Sequence, residues 1–459
     1  MADPTGFNPY ARTKEHIVDP PKDFGAIFKL IGPGLILASS IVGSGELIAT
    51  TVLGAELGYT LLWLILVSCV IKVVVQNELG RYAIGTGKTT LEAFDTVPGP
   101  RWRVSWVVWC WFLMVMFTLM QIGGMLGGIS EVLNRYWSFS ADEGTSITIW
   151  VWVVNLITVA LLIRGRYNLV EKISMGLVVS FTLLTVSCAF LLLKLPQYFS
   201  WGEVLSGLTF QPPEGGLATA VAAFGITGVG ATELVMYPYW CIEKGYARNA
   251  GPRDDSPEWI ARAFGWIKVM GVDVLNSMVI YTFATIAFYI LGAGVLHGMG
   301  LVPQGSEMVS TLSNLYTETL GAWSLPLFLV GAVAVLYSTV FASTAAHTRV
   351  FADFTGMLGF YDRTQFPLRL KAIRIFTVIL LFVPSMYFMF VKEPVLMVKI
   401  GGIAQACMLP IVGAVTIYLR YNQLPKSIAP KGWITLALWI SAAVMAVMMG
   451  YSVIQRMMG

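Results

Sequence analysis

An all-α membrane protein that crosses the bilayer eleven times is the fold class this sequence predicts, and three observations predict it. Of the 459 residues, 56% are hydrophobic and only 12% charged, roughly half the charge of an ordinary soluble domain. Apolar runs of about 20 residues, long enough to cross a hydrocarbon core as helices, recur down the whole chain. The runs are continuous, unlike the short alternating segments of a closed barrel, the other structure that satisfies its backbone in lipid.

Taken in order, residues 1–27 are polar, carry Pro4, Pro9, Pro20 and Pro21, and read as a cytosolic tail rather than a signal peptide. Spans are expected near 28–53, 59–80, 104–134, 147–163, 173–193, 217–241, 266–293, 323–347, 372–391, 395–419 and 433–455. With the N-terminus inside, alternating the loops between the two sides puts 24 Lys and Arg in inner segments. Only Arg135, Lys194, Lys392, Lys399 and Arg456 fall in outer ones, and Lys72 lies inside the second span. Such asymmetry follows the positive-inside rule. The chain is therefore expected in a plasma (inner) membrane, with a cytosolic N-terminus and its C-terminus outside. Trp102, Trp106, Trp150, Trp201, Trp323 and Trp433 lie near span ends, as interfacial anchors do. Cys69, Cys110, Cys188, Cys241 and Cys407 are scattered, with the spacing of neither a disulfide framework nor a zinc site.

An internal repeat organises the spans. "VGSGELI" (Val42–Ile48) and "VGATELV" (Val229–Val235) share Val, Gly, Glu and Leu, and Ser44/Ala231 and Gly45/Thr232 are small pairs. The copies fall midway along spans 1 and 6. Five spans separate them, and because five is odd the halves 28–195 and 217–420 must lie in opposite orientation, with 432–459 left as a final span. This is the inverted-repeat signature of a secondary transporter. Small residues at matching places predict that spans 1 and 6 are both broken at mid-membrane, where freed carbonyls and helix-end dipoles bind an ion.

Longer stretches carry a family resemblance. "IGPGLILASSIVGSGELIATTVLGAELGYTLLW" (31–63), "VVVQNELGRYAIGTGKTTLEAF" (73–94), "RGRYNLVEKISMGLVVSF" (164–181), "GVGATELVMYPYW" (228–240), "YSTVFASTAAHTRVFADF" (337–354), Arg369 with Arg374, and "IAQACMLP" (403–410) resemble the Nramp family of metal-ion transporters. The resemblance implies the LeuT-like inverted-repeat fold and a metal site between spans 1 and 6. Against the family's metal-binding Asp-Pro-Gly-Asn of span 1 stand Gly43, Ser44, Gly45 and Glu46. Against the Met-Pro-His of span 6 stand Leu234, Val235 and Met236, so Met236 substitutes for the thioether ligand only from a shifted register. Gln121 and Gly124 stand where the family's third span has its acidic proton route. The resemblance therefore implies the scaffold, but not the usual ligands or the usual proton coupling.

Glu46 and Glu233 occupy symmetric places just after the expected breaks, and an intramembrane ionisable group marks a functional site by default. Both ionised, they make a hard, doubly negative site. The expected lining is Gly43, Ser44, Gly45, Glu46, Gly230, Ala231, Thr232, Glu233, Met236 and Gln405, with Glu46 and Glu233 as metal ligands. Such oxygen donors suit Mg²⁺, Mn²⁺ or Ca²⁺ better than a thiophilic ion, and an amine or amino acid would satisfy the same field. Two plainer roles compete: each glutamate sits in the first turn of the half-helix that follows, or pairs with Lys72. Glu56 reads as an outer-end group, and Asp273 as a helix-end or inner-vestibule group. Glu131 and Asp353 read as span-end groups, Glu171 as a local partner of Arg164 or Arg166, and His347 and His297 as surface groups, with His16 in the tail.

An enzyme is not expected. "IGTGKTT" (84–90) has Tyr82 where a nucleotide-binding loop needs its first glycine, and it follows a membrane helix rather than a strand. No cofactor and no nucleic-acid partner is expected; the partners are a transported cation or small solute and the lipid bilayer. A non-transporting sensor is a third reading, disfavoured by the short tail and the lack of a following signalling domain.

Overall fold

The computed structural model describes residues 8–163, 167–213 and 215–458. Eleven long helices carry the chain: α1 (Pro33–Leu57), α2 (Leu62–Thr86), α3 (Trp106–Tyr136), α4 (Glu143–Ile163), α5 (Tyr167–Leu192), α6 (Leu217–Lys244), α7 (Pro257–Met299), α8 (Leu325–Met357), α9 (Phe366–Val391), α10 (Pro394–Asn422) and α11 (Gly432–Met458). Each covers one expected span. The largest differences are at α7, which begins at Pro257 rather than near 266, and at α8, which runs on to Met357 rather than ending near 347. The first turn of α7 is fixed by Ser256, whose side chain accepts from Trp259 N, and by proline at the first helical position. A two-strand ribbon, Arg101–Trp102 against Val104–Ser105, precedes α3 and had no signal in the sequence. The expected pairing of Glu171 with Arg164 or Arg166 falls outside the described residues.

The two repeat copies fold differently. α6 is interrupted: α6a (Leu217–Ile226) ends, Thr227 to Gly230 are non-helical, and α6b (Ala231–Lys244) begins. α1 does not break. Val42–Thr50 is wound as a π-helix that joins α-helical Pro33–Ile41 to α-helical Thr51–Leu57. The expectation of a broken first span is corrected to a widened one. One residue accounts for much of the difference. Gly228 turns the chain at φ 67°, a conformation open to glycine. The matching position in the first copy is Ile41, a β-branched residue at φ −79°. The wide turn is also bonded from the side: Thr50 Oγ1 donates to Gly45 O at 2.9 Å and Thr51 Oγ1 to Glu46 O at 3.1 Å, both five residues back.

The start of α1 is capped from another helix. Asp273, on α7, accepts from Gly32 N at 2.9 Å, Gly34 N at 2.6 Å and the Tyr237 hydroxyl at 3.0 Å. The two backbone N–H groups are otherwise orphan donors at a helix N-terminus, so Asp273 takes the helix-end role across a gap of many residues. At the same end the N-terminal tail is strapped down. The Tyr10 ring lies 3.7 Å from the Arg369 guanidinium, and its hydroxyl donates to Glu243 at 2.8 Å. Burial holds the Tyr10 phenol well above its usual pKa, so it stays a donor. Asp353, read from sequence as a span-end group, is a hub here. It accepts from Thr89 Oγ1 at 2.5 Å and Tyr239 OH at 2.7 Å, and pairs with Arg369 at 3.4 Å and Arg363 at 3.5 Å.

Candidate functional site

The widened stretch of α1 faces the gap in α6. A Cβ on Gly45 would stand 3.2 Å from Ile226 O, the last residue of α6a. The hydroxyls of Thr50 and Thr227 lie 2.9 Å apart. On its other side α1 touches α8 so closely that a Cβ on Gly43 would come within 2.2 Å of Thr339 Oγ1. The small residues of the motif thus serve close helix approach, and they bring two polar clusters to mid-membrane.

The first cluster surrounds Glu46, which is fully buried. Its Oε1 accepts from Thr285 Oγ1 of α7 at 2.8 Å and from the freed Gly228 N–H at 3.2 Å. Among the described residues its Oε2 has no hydrogen-bond partner, and neither do the Tyr281 hydroxyl and Thr282 Oγ1 on α7. Cys69 of α2 stands against the same gap, its sulfur 3.4 Å from where a Gly228 Cβ would be. An unpaired carboxylate oxygen in such a place costs several kcal/mol, so a proton or a cation belongs beside it.

The second cluster is a chain of hydrogen bonds through Glu233. Glu233 lies in the first turn of α6b, where the helix dipole favours a negative charge. Its Oε2 accepts from Thr232 Oγ1 at 2.8 Å. Gln405 Oε1, on α10, accepts from Thr232 N at 3.1 Å. Gln405 Nε2 donates to Gln121 Oε1 on α3 at 3.0 Å, and Gln121 Nε2 donates to Ser44 Oγ on α1 at 2.6 Å. A Cβ on Gly230 would meet Gln405 Oε1 at 2.4 Å and Glu233 Oε2 at 2.5 Å, so only glycine leaves this oxygen-rich notch open.

Between the clusters lies Lys72 of α2, fully buried. Its Nζ donates to Phe224 O at 2.7 Å and Thr227 O at 2.6 Å, the carbonyls at the end of α6a, and sits 5.3 Å from the Phe224 ring centre. The charges of Glu46 and Glu233 both act on it, yet no carboxylate is within ion-pair distance of it among the described residues. Direct pairing of Lys72 with a glutamate is therefore corrected: the lysine serves backbone oxygens, and its charge offsets part of the expected double negative. One turn along α2, Gln76 is buried with neither amide atom bonded.

Of the residues expected at the site, Ser44, Thr232, Glu233 and Gln405 are joined in one network, and Glu46 belongs to the other. Glu46 and Glu233 are near enough for their charges to interact but bond to separate partners. The first-turn role holds for Glu233 and not for Glu46, because α1 has no new start there. Gly43, Gly45 and Gly230 give close approach, and Ala231 and Met236 are buried on α6b. No group of three or more His, Cys, Asp or Glu side chains forms a metal cage among the described residues. His347 is not a surface group: it is buried in α8, with Nδ1 2.8 Å from Ser343 O and Nε2 unbonded. Gln121, Lys72, Thr285 and Gly228 were not in the expected lining. Gln121 and Lys72 stood out as polar residues inside apolar runs, whereas nothing local marked Thr285.

Residues 34–455 match the family model described as natural resistance-associated macrophage protein-like, Nramp. Among curated relatives, the divalent metal cation transporter MntH of Klebsiella pneumoniae is 23% identical over 94% of this chain and 95% of that protein. Among solved structures, a manganese transporter of Eremococcus coleocola superposes with a TM-score of 0.64 at 15% identity, over 95% of this chain and 90% of that one. Mhp1, a nucleobase-cation-symport-1 family transporter, superposes with a TM-score of 0.55 at 16% identity, over 98% and 93%. These structures share the LeuT-like fold with the helices described above.

Proposed function

The chain belongs to the Nramp family, and from that premise we propose that it is a secondary transporter carrying a divalent metal cation across a membrane by alternating access. The halves 28–195 and 217–420 move against one another around the paired irregular stretches, with the N-terminus in the cytosol. The observation that carries the reading is Oε2 of Glu46, a buried carboxylate oxygen at the gap in α6 with no hydrogen-bond partner among the described residues. Glu46 and Glu233 supply the negative field, and Ser44, Thr232 and Gln405 supply further oxygen donors. This donor set favours hard ions such as Mg²⁺ and Mn²⁺. Coupling through acids of α3 forms no part of the proposal, because Gln121 and Gly124 stand there. MntH, the name of the curated relative, is that of a divalent metal cation transporter, which agrees with the proposal.

Purified protein in proteoliposomes tests it. Uptake of Mg²⁺, Mn²⁺ or Ca²⁺ is expected, and Glu46→Gln, which keeps the shape and an acceptor at Oε1, should abolish it while the protein still melts cooperatively. Glu233→Gln should weaken it. Uptake at the wild-type rate in both variants would remove the site, and no flux of any divalent ion would remove the substrate class.

A further inference from the structure

We infer that Lys72 is a built-in cation, its ammonium group standing where a free alkali ion would otherwise bind at the end of α6a. The end of a helix gathers carbonyl oxygens without intrahelical partners and about half a negative charge. At mid-membrane no bulk water is at hand to satisfy them. In this protein Phe224 O and Thr227 O converge on Nζ at 2.7 and 2.6 Å, the short distances of charge-assisted bonds. The Ser68 hydroxyl lies at the same place, 3.1 Å from Thr227 O, and the face of the Phe224 ring adds its own attraction for a cation. With the lysine side chain removed, what remains is two carbonyls, a hydroxyl and the field of two glutamates. That is a coordination shell for Na⁺ or K⁺.

The lysine also accounts for the carbonyls freed at the break in α6 from within the chain itself. A tethered amine cannot diffuse away as a bound alkali ion can, so the carbonyls Phe224 O and Thr227 O keep their donor without drawing an ion from the medium. The inference concerns the lysine spot alone and rests on the transporter reading only for its consequence; the binding test below does not use divalent transport, so the two fail separately.

Thermal unfolding of purified protein in NaCl, KCl or choline chloride at matched ionic strength tests it. Wild type should melt at one temperature in all three. Lys72→Ala should melt lower in choline and be raised by Na⁺ or K⁺ in a saturable way. Lys72→Met, which fills the space without charge, should stay insensitive, and Ser68→Ala in the Lys72→Ala background should weaken the alkali response. A folded Lys72→Ala protein that melts alike in all three salts overturns the inference. If that variant folds in none of them, wild type decides: indifference of its melting to replacing Na⁺ and K⁺ by choline upholds the inference, and a saturable alkali requirement overturns it.

Discussion

The Glu56 carboxylate at the far end of α1 stands 2.5 Å from the Lys399 ammonium on α10, joining the two helices at the end opposite the N-terminal tail. At the other end the Asp353 hub joins α6b, α8 and α9. Helix α1 is thus tied to a neighbour at both extremities, through Asp273 and through Lys399, while its middle carries the irregular turn.

Because Glu56 and Lys399 remain partly exposed, their pair contributes little stability, about 0.2–1 kcal/mol. Glu56→Gln should leave the melting temperature nearly unchanged. It should instead raise the labelling rate of a cysteine placed beside Glu233 by a reagent applied from the Lys399 side. Unchanged labelling would show that this pair does not hold the end closed.

Gly43→Ala should destabilise the protein by about 1–3 kcal/mol, the usual range for overpacking, since its methyl would meet Thr339 Oγ1 and Cβ. Pairing it with Thr339→Gly should recover part of that loss. A double-mutant cycle of melting curves measures the coupling, and additivity would deny the contact.

Removing the cap on α1 by Asp273→Ala leaves Gly32 N, Gly34 N and Tyr237 OH without their acceptor. A cost of about 1–3 kcal/mol is expected for buried donors left unmade. Asp273→Asn keeps one acceptor oxygen and should cost less. Chemical unfolding of both variants checks the order.

Gln121→Leu deletes the link between α1 and α10 and strands the Ser44 hydroxyl and the Gln405 amide, again at about 1–3 kcal/mol. Gln121→Glu keeps an acceptor for Gln405 Nε2, and the Ser44 hydroxyl can rotate to donate to the second oxygen. It should therefore melt above the leucine variant. The reverse order would mean that the chain of amides is not what holds these helices.

The span count, most span boundaries to within a few residues, and the place of the α6 break were legible in the sequence because hydrophobic length and glycine are local signals. The extensions of α7 and α8 were not, because their polar ends lie beyond the apolar run. What the repeat hid is that equal motifs need not fold equally. Val42–Ile48 and Val229–Val235 match, but Gly228 precedes one and Ile41 the other, and Thr50 and Thr51 support the first from the side. The partners of Lys72 were illegible for a different reason. A buried lysine reads as half of an ion pair, and only the folded geometry reveals a bundle of carbonyls that serves it as well. Thr285 and Asp273 act on α1 from α7, more than two hundred residues along the chain, a separation that no local pattern spans.

The wound-wide segment Val42–Thr50 resembles a dislocation in a crystal: the helix continues through it, but one part of the lattice is out of step with the next. Its carbonyls at Gly45 and Glu46 are already taken by Thr50 and Thr51. In the first copy those two main-chain oxygens accept from hydroxyls of their own helix, whereas in the second copy Phe224 O and Thr227 O accept from a lysine of another. Two stretches alike in sequence thus quiet their loosened backbones by different means, one from within and one from outside.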